Sequence, residues 1–243
     1  KDIPAVIKFL IQKRNQEYND INIHLKLSSK EHTLLNKVTY IGHSQGTAQI
    51  FAAFTKLPSF YSTHLLGIIA LGPVWKLEHF SSFLIKQFSD IQMEKVFDIF
   101  EIKEVFSSKK PVNKINTILC DILPSVCEQA LGLISDKVPQ NNNNYKFLVW
   151  ASHYPSGTSS KNIAHFSKIV RDKAFEDFKG RPYDMSVIRN IPVALLVGNE
   201  DRLSTVEDSR ELRETLIKNN SLFFYKEYVN FGHATFFLNK DNE

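Results

Sequence analysis

Short apolar runs alternate with amphipathic stretches near both ends of the chain. Apolar runs of strand length lie at 38–41, 66–71, 191–197 and 222–229. Apolar residues at helical spacing occur at 4–14, 45–57 and 206–218. This alternation of strands and helices favours an α/β fold with a mostly parallel sheet, and 243 residues suffice for one large domain.

The pattern changes between residues 75 and 180. This part lacks strand-like alternation, and its apolar residues have helical spacing in two groups: Phe80, Phe83, Leu84 and Phe88, then Val96, Phe97 and Phe100. Such an insert between two core strands predicts a cap or lid, whose phenylalanines either pack its own core or line an apolar tunnel. The predicted organisation is a core in two parts, 1–74 and 183–243, with a helical cap at 75–182.

The first apolar run leads into a motif with chemical meaning. Residues 38–47 predict a strand, then Gly-His-Ser-Gln-Gly, then the start of a helix. In that context Gly-x-Ser-x-Gly is typical of a nucleophile elbow, a sharp turn that exposes the serine hydroxyl. Ser44 is therefore the candidate nucleophile. Gly42 and Gly46 are predicted to lack side chains because the strand and the helix pass too close for a Cβ atom.

Two later strand ends supply a candidate acid and a candidate base. The third apolar run ends in Gly-Asn-Glu-Asp, which offers Asp201, with Glu200 as the alternative. The last run leads to His233, the only one of eight histidines that follows Asp201. In this kind of fold the acid and then the histidine follow the serine along the chain. His233 would take the Ser44 proton, and Asp201 would orient the imidazole.

The composition of the chain does not favour nucleic acid, a membrane span or a metal ion as a partner. The net charge is +4 with Lys and Arg scattered, which does not predict a nucleic-acid surface. The sequence contains no apolar run of about 18 residues or more, hence no predicted transmembrane segment, and no basic-then-apolar leader is visible. It contains neither a zinc-type Cys/His cluster nor a Gly-rich phosphate loop, so no metal site is predicted.

The two cysteines, Cys120 and Cys127, leave two interpretations open. On a continuous helix they would be about two turns apart, roughly 10 Å, which is too far for a disulfide. Pro124 between them would break such a helix. The sequence therefore supports two interpretations equally. The cysteines either form a small disulfide loop in an oxidising compartment or are a pair of buried free thiols.

Several motifs together resemble the acid lipases of the gastric and lysosomal type, within the α/β-hydrolases. The resemblance covers nearly the whole chain. Its most specific parts are the elbow form Gly-His-Ser-Gln-Gly-Thr and the segment His-Tyr-Pro-Ser-Gly-Thr-Ser at 153–159. Other matching segments lie at 2–5, 70–74, 182–183, 190–193 and 198–201.

The resemblance implies a lipase that hydrolyses triacylglycerols or sterol esters at a lipid–water interface, through an acyl-enzyme and with no cofactor. It implies that Ser44 is the nucleophile, Asp201 the acid and His233 the base. It also makes the backbone N–H of Gln45 one donor to the oxyanion. Members of this family are usually secreted or lysosomal, with a cysteine pair in the cap.

The sequence departs from the family pattern in several places. Ala234 and Thr235 stand where the family usually has Leu and Asp, the cysteines are closer together, and 15–36 resembles an insertion. Four strands normally precede the elbow strand, whereas the 37 residues before Val38 contain no convincing strand. We therefore expect a C-terminal fragment that lacks the second oxyanion donor, dissolves poorly and is nearly inactive.

Two other functions are compatible with the same residues. A non-catalytic lipid-binding relative would keep the scaffold without turnover. An acyltransferase would use the same triad with an alcohol, instead of water, as the acceptor. Replacement of Ser44 separates the binding protein from the enzymes, and an added alcohol acceptor separates transfer from hydrolysis.

Overall fold

The structure is a computed structural model that describes residues 2–21, 34–90, 99, 101, 103–105, 118–137, 142–153 and 156–240. Its helices are α1 Asp2–Ile21, α2 Gln45–Lys56, α3 Pro58–His64, α4 Phe83–Asp90, α5 Pro124–Ile134, α6 Asn144–Ala151, α7 Ser160–Asp172, α8 Val206–Lys218 and α9 Thr235–Leu238. Its strands are β1 Val38–His43, β2 Leu65–Leu71, β3 Glu104–Val105, β4 Thr158–Ser159, β5 Val193–Gly198 and β6 Leu222–Tyr228. Over the described residues, each helix is too short or too polar to cross a lipid bilayer.

Four strands form the main sheet, in the order β1–β2–β5–β6. β1 and β2 run parallel, with His43 opposite Leu71, and β2 and β5 run parallel, with Ile68 opposite Val193. β2 is buried at most positions, as expected for a strand covered on both faces, whereas β1 is an edge strand of the described sheet. Parallel strands joined through helices confirm the predicted α/β fold.

The chain divides into two compact units. The first comprises Lys1–Pro73, Tyr183–Leu196 and Arg210–Lys226, and the second comprises Val74–Pro182, Val197–Ser209 and Glu227–Glu243. The second unit includes the segment Val74–Pro182, which contains the predicted helical insert, and the bounds of this insert stay a prediction. Its function as a cap stays a prediction.

The core of the first unit is built from side chains of the sheet and of α2, α3 and α8. The buried residues include Ile50, Phe51, Phe54, Tyr61, Leu65, Ile68, Val193, Leu195, Leu212 and Leu216. The rings of Phe54 and Tyr61 stack with their centroids 5.6 Å apart. Full burial of a large apolar side chain stabilises the folded state by about 1.5–3 kcal/mol. This core supports the strand and helix that flank Ser44.

Helix α1 continues well beyond Arg14, where its apolar pattern ends. The polar part is held by tertiary hydrogen bonds: Arg14 donates to the carbonyl oxygen of Lys37 at 3.0 Å, and the Asn15 amide donates to Asn36 at 3.2 Å. In proteins, most of the stability of a helix comes from tertiary interactions and not from intrinsic helix propensity. The predicted polar insertion is therefore partly helical, and residues 22–33 of it lie outside the described residues.

The insert consists mainly of helices, with one short antiparallel strand pair in which Glu104 lies opposite Ser159. The Ser159 hydroxyl accepts the Asn162 N–H at 3.1 Å, so this residue of the lipase-like motif caps α7. The second predicted apolar group, which consists of Val96, Phe97 and Phe100, lies outside the described residues. The structure also does not describe the side chains of Phe83, Leu84 and Phe88.

A disulfide joins Cys120 to Cys127 in the second unit. The helical residues 118–122 end before Pro124, which begins α5. This break brings the two Cα atoms to 5.5 Å, within the range of a disulfide. Cys120 belongs to a buried apolar cluster that also contains Ala234. The crosslink is thus packed against the loop that carries His233.

Replacement of both cysteines by serine should lower the free energy of unfolding. The ring closed by the disulfide spans seven residue steps. The loop-closure entropy of such a ring corresponds to about 2.5 kcal/mol at 25 °C. Urea unfolding measures this loss, and the wild type in excess reductant is the matched control. Equal stability of the oxidised wild type and the double variant would contradict a stabilising crosslink.

Candidate active site

The turn after β1 is strained at Ser44. This residue has φ 55° and ψ −122°, a combination that residues with a side chain rarely adopt. Its N–H donates to the carbonyl of Leu71 at 3.0 Å. Its carbonyl oxygen accepts the N–H and the hydroxyl of Thr47 at 2.9 and 2.6 Å. Because both neighbouring peptides are held, β1 passes directly into α2 through a sharp turn of the nucleophile-elbow kind.

Only one of the two elbow glycines is required by close packing. A Cβ on Gly42 would lie 2.8 Å from Cε1 of Tyr40 and 3.0 Å from the carbonyl carbon of Gly46. A Cβ on Gly46 would lie 3.6 Å from the Tyr40 hydroxyl, an ordinary contact. The predicted close approach is therefore correct at Gly42 and wrong at Gly46. At Gly46 the carbonyl oxygen accepts the Tyr40 hydroxyl at 2.9 Å, which ties the strand to the helix.

Alanine substitutions should distinguish the two glycines. Gly42→Ala is expected to lower the free energy of unfolding by about 1–3 kcal/mol, because the Tyr40 ring or the turn must move. Gly46→Ala is the matched control in the first turn of α2, where alanine exceeds glycine in helix propensity by about 1 kcal/mol. Thermal unfolding of both variants measures the difference. Equal destabilisation would show that the packing at Gly42 is not as tight as the structure has it.

Asp201 and His233 form a buried pair in the second unit. Nδ1 of His233 lies 2.7 Å from Oδ2 of Asp201, and the residues are 6% and 1% exposed. Oδ1 of Asp201 accepts the N–H groups of Leu203 and Ser204 at 2.7 and 2.8 Å. An ionised carboxylate only accepts hydrogen bonds, so this geometry places the ring hydrogen on Nδ1 and the lone pair on Nε2.

The structure distinguishes Asp201 from its neighbour Glu200. Glu200 joins the surrounding loops through its backbone: its N–H donates to the carbonyl of Phe231 at 2.8 Å, and its carbonyl accepts the N–H of Lys137 at 2.9 Å. The contact with the imidazole is made by Asp201. Of the two alternatives that the sequence leaves open, the geometry favours Asp201.

A second buried carboxylate lies beside the pair. Asp136 is fully buried, with Oδ1 accepting the Ala234 N–H at 2.9 Å and Oδ2 accepting Nδ2 of Asn142 at 3.0 Å. Burial raises the pKa of Asp136, and these two hydrogen bonds oppose the rise without cancelling it. The sequence carries no signal for this residue, because Ser-Asp-Lys after a helix is typical of a solvated helix end.

The surroundings raise the pKa of His233. Burial is the strongest single influence and lowers the pKa, but the charge of Asp201, its hydrogen bond to Nδ1 and the charge of Asp136 together outweigh it. A histidine with a raised pKa keeps its second proton to a higher pH. A reaction that needs neutral His233 therefore slows as the pH falls through this pKa.

The candidate residues occupy the predicted places along the chain. Ser44 follows β1 in the first unit, and Gln45 is the first residue of α2. Asp201 follows β5 and His233 follows β6, and both belong to the second unit. The structure thus brings the acid and the histidine together within one unit.

Comparison with known proteins shows the family. The model of the family described as the alpha/beta hydrolase fold matches residues 13–240. The chain belongs to this family. The match confirms the α/β-hydrolase fold that the motifs implied.

Named relatives of this α/β-hydrolase include several lipases. It is 28% identical over 262 residues to gastric triacylglycerol lipase of Rattus norvegicus, an alignment that covers 97% of this chain and 58% of the relative. It is 27% identical over 257 residues to a Crotalus adamanteus protein named after lysosomal acid lipase/cholesteryl ester hydrolase, covering 99% and 58%. A solved monoglyceride lipase of Saccharomyces cerevisiae aligns with 98% of this chain and 62% of its own, with 16% identity and a TM-score of 0.46.

The chain spans less than two thirds of the length of these curated relatives, 58% of the two named here. Their names confirm the predicted resemblance to gastric and lysosomal acid lipases.

Proposed function

We propose that this α/β-hydrolase is a serine esterase of the lipase type, with Ser44 as nucleophile, His233 as base and Asp201 as acid. The observation that carries the proposal is the buried hydrogen bond of 2.7 Å between Nδ1 of His233 and Oδ2 of Asp201. These residues follow the strained turn at Ser44 in the chain order of the triad in this fold. The relatives named as lipases support the same reaction class.

The first half of the proposed reaction forms an acyl-enzyme. Ser44 Oγ attacks the carbonyl carbon of the ester while its proton moves to Nε2 of His233. The carbonyl oxygen becomes an oxyanion, for which the backbone N–H of Gln45, at the positive end of α2, is one donor. As the tetrahedral intermediate collapses, the alcohol leaves with the proton from Nε2. The acyl group then remains on Ser44.

The second half returns the enzyme to its starting state. Water attacks the acyl carbon, and its proton moves to Nε2 of His233. The second tetrahedral intermediate releases the carboxylic acid, and Ser44 Oγ takes the proton back. Asp201 keeps the imidazole in one tautomer and stabilises the imidazolium in both halves. One ester and one water thus give one acid and one alcohol, with no cofactor in the proposed cycle.

The proposed substrates are triacylglycerols or sterol esters presented at a lipid–water interface. The names of the relatives, a gastric triacylglycerol lipase and a lysosomal acid lipase/cholesteryl ester hydrolase, support this substrate class. They also support a secreted or lysosomal location. The disulfide between Cys120 and Cys127 fits an oxidising compartment of that kind.

Titration of released acid tests the proposed function. Emulsified tributyrin and cholesteryl oleate are offered separately at constant pH, with and without a long-chain alcohol. We expect the wild type to release acid from at least one of them and Ser44→Ala to release none. New ester in place of free acid would make the protein an acyltransferase. Binding to the emulsion without any product would contradict the proposal and favour a non-catalytic lipid-binding protein.

A further inference from the structure

The helical insert is joined directly to the loop that carries the acid. Residues 135–137 pair antiparallel with residues 200–202 through two backbone hydrogen bonds of 2.9 Å. In this short pairing Asp136 lies opposite Asp201. A carboxylate of the insert is therefore placed next to the Asp201–His233 pair.

Asp136 also holds the backbone on both sides of His233. On one side its Oδ1 accepts the Ala234 N–H at 2.9 Å. On the other side it packs against Gly232, where a Cβ would lie 2.6 Å from Cβ of Asp136 and closer still to its carboxyl carbon. The Gly232 N–H donates to Oγ1 of buried Thr235 at 3.0 Å, which closes the loop. Only glycine permits this close approach of the carboxyl group to the loop.

We propose that Asp136 is a positioning residue that fixes the His233 loop and places a second negative charge beside the imidazole. It acts through His233 and makes no contact with the reacting atoms in this assignment. The inference rests on the proposed function, since the position and charge state of the ring affect catalysis only where His233 is the base.

The charge has a defined consequence for the reaction. Two carboxylates act on the ring, Asp201 from the loop after β5 and Asp136 from the insert, and both raise the pKa of His233. The imidazole becomes an imidazolium each time Nε2 takes a proton. A second buried negative charge stabilises this cation where little water screens the interaction. The same charge makes the ring harder to deprotonate, so it shifts the pH range in which His233 can act as the base.

Asp136→Asn removes the charge and keeps the shape. The amide oxygen can still accept the Ala234 N–H. The amide nitrogen can donate to Oδ1 of Asn142 after that side chain turns over, and this oxygen is buried without a hydrogen-bond partner among the described residues. Asp136→Ser is a second neutral variant with a smaller acceptor. The matched control is Asp208→Asn, a buried carboxylate of the second unit that bonds His79 at 2.8 Å.

An NMR titration of the His233 ring in protein with ¹⁵N-labelled histidine tests the inference, with the signal assigned through His233→Gln. We expect the pKa of His233 to be lower in Asp136→Asn than in the wild type and unchanged in Asp208→Asn. The acid limb of kcat/KM should move to lower pH in the same variant, because a ring with a lower pKa is neutral at lower pH. An unchanged His233 titration in both neutral variants, or an equal change in the control, would overturn the inference.

The titration separates this inference from the proposed function. It measures the protonation of the His233 imidazole directly and does not require catalysis. Absence of ester hydrolysis together with the expected change in pKa would reject the proposed function while retaining the Asp136–His233 coupling. Hydrolysis that depends on Ser44, together with an unchanged titration, would reject only the assignment of Asp136.

Discussion

Ser44→Ala is expected to lower kcat for ester hydrolysis by about 10⁶-fold, the loss that follows removal of a triad serine or histidine. The substitution removes the oxygen that forms the acyl-enzyme and leaves the strained turn in place, because serine and alanine share the Cβ atom. The backbone contacts of Ser44 with Leu71 and Thr47 do not involve its hydroxyl. Folding should therefore be retained while turnover is lost.

Hydrolysis of a soluble p-nitrophenyl ester and of emulsified triacylglycerol measures this loss. Ser59→Ala is the control, since Ser59 is an exposed serine of α3 in the same unit as Ser44. It should keep the wild-type rate. Residual activity of more than about 1% in a folded Ser44→Ala protein cannot be reconciled with a loss of this size, and would mean that another residue is the nucleophile.

Asp201→Asn should reduce kcat by about 10⁴-fold, the effect of the same change in a serine-protease triad. The N–H groups of Leu203 and Ser204 require an acceptor at the position of Oδ1. The amide oxygen must take that position, so the amide nitrogen faces Nδ1 of His233 and donates to it. The ring must then carry its lone pair on Nδ1 and its hydrogen on Nε2. In this tautomer Nε2 cannot accept the Ser44 proton.

Glu200→Gln is the matched control for this prediction. It removes the neighbouring carboxylate and preserves the backbone hydrogen bonds that Glu200 makes to its loops. Steady-state kinetics of both variants on the same ester should show a near wild-type rate for Glu200→Gln. The opposite ranking of the two variants would make Glu200 the acid and would contradict the assignment based on the Asp201–His233 hydrogen bond.

The helices and strands that flank the site could be predicted because the pattern of apolar residues within each segment favours the same secondary structure that the fold contains. The prediction for α8, 206–218, agrees with the structure, and each strand of the main sheet was placed within about two residues. The sequence predicts Ser44, Asp201 and His233 as candidates because each follows an apolar run that ends in a polar or glycine-rich turn. In each case the apolar run and the turn lie within a few residues of the candidate.

The features that the sequence did not reveal depend on contacts between distant segments. Asp136 precedes its partner Ala234 by 98 positions, and no local pattern connects the two. Helix α1 extends through a polar stretch because Arg14 and Asn15 bond the segment before β1. The disulfide depends on the residue at which the helix before Pro124 ends. A sequence pattern locates the end of a helix only to within one or two residues. The sequence predicts that close packing excludes a Cβ atom at Gly46. Only the positions of the surrounding atoms show that this position has room for one.

Covalent labelling with a fluorophosphonate is the measurement that shows whether Ser44, His233 and Asp201 act as one triad. The activated serine oxygen displaces fluoride from phosphorus, and peptide mass mapping identifies the labelled residue. We expect a single label on Ser44 that is lost in His233→Ala and retained in His153→Ala, where His153 is an exposed histidine of the second unit. A folded chain that takes no label, or a label on Ser44 that persists without His233, would mean that these three residues do not act as one triad.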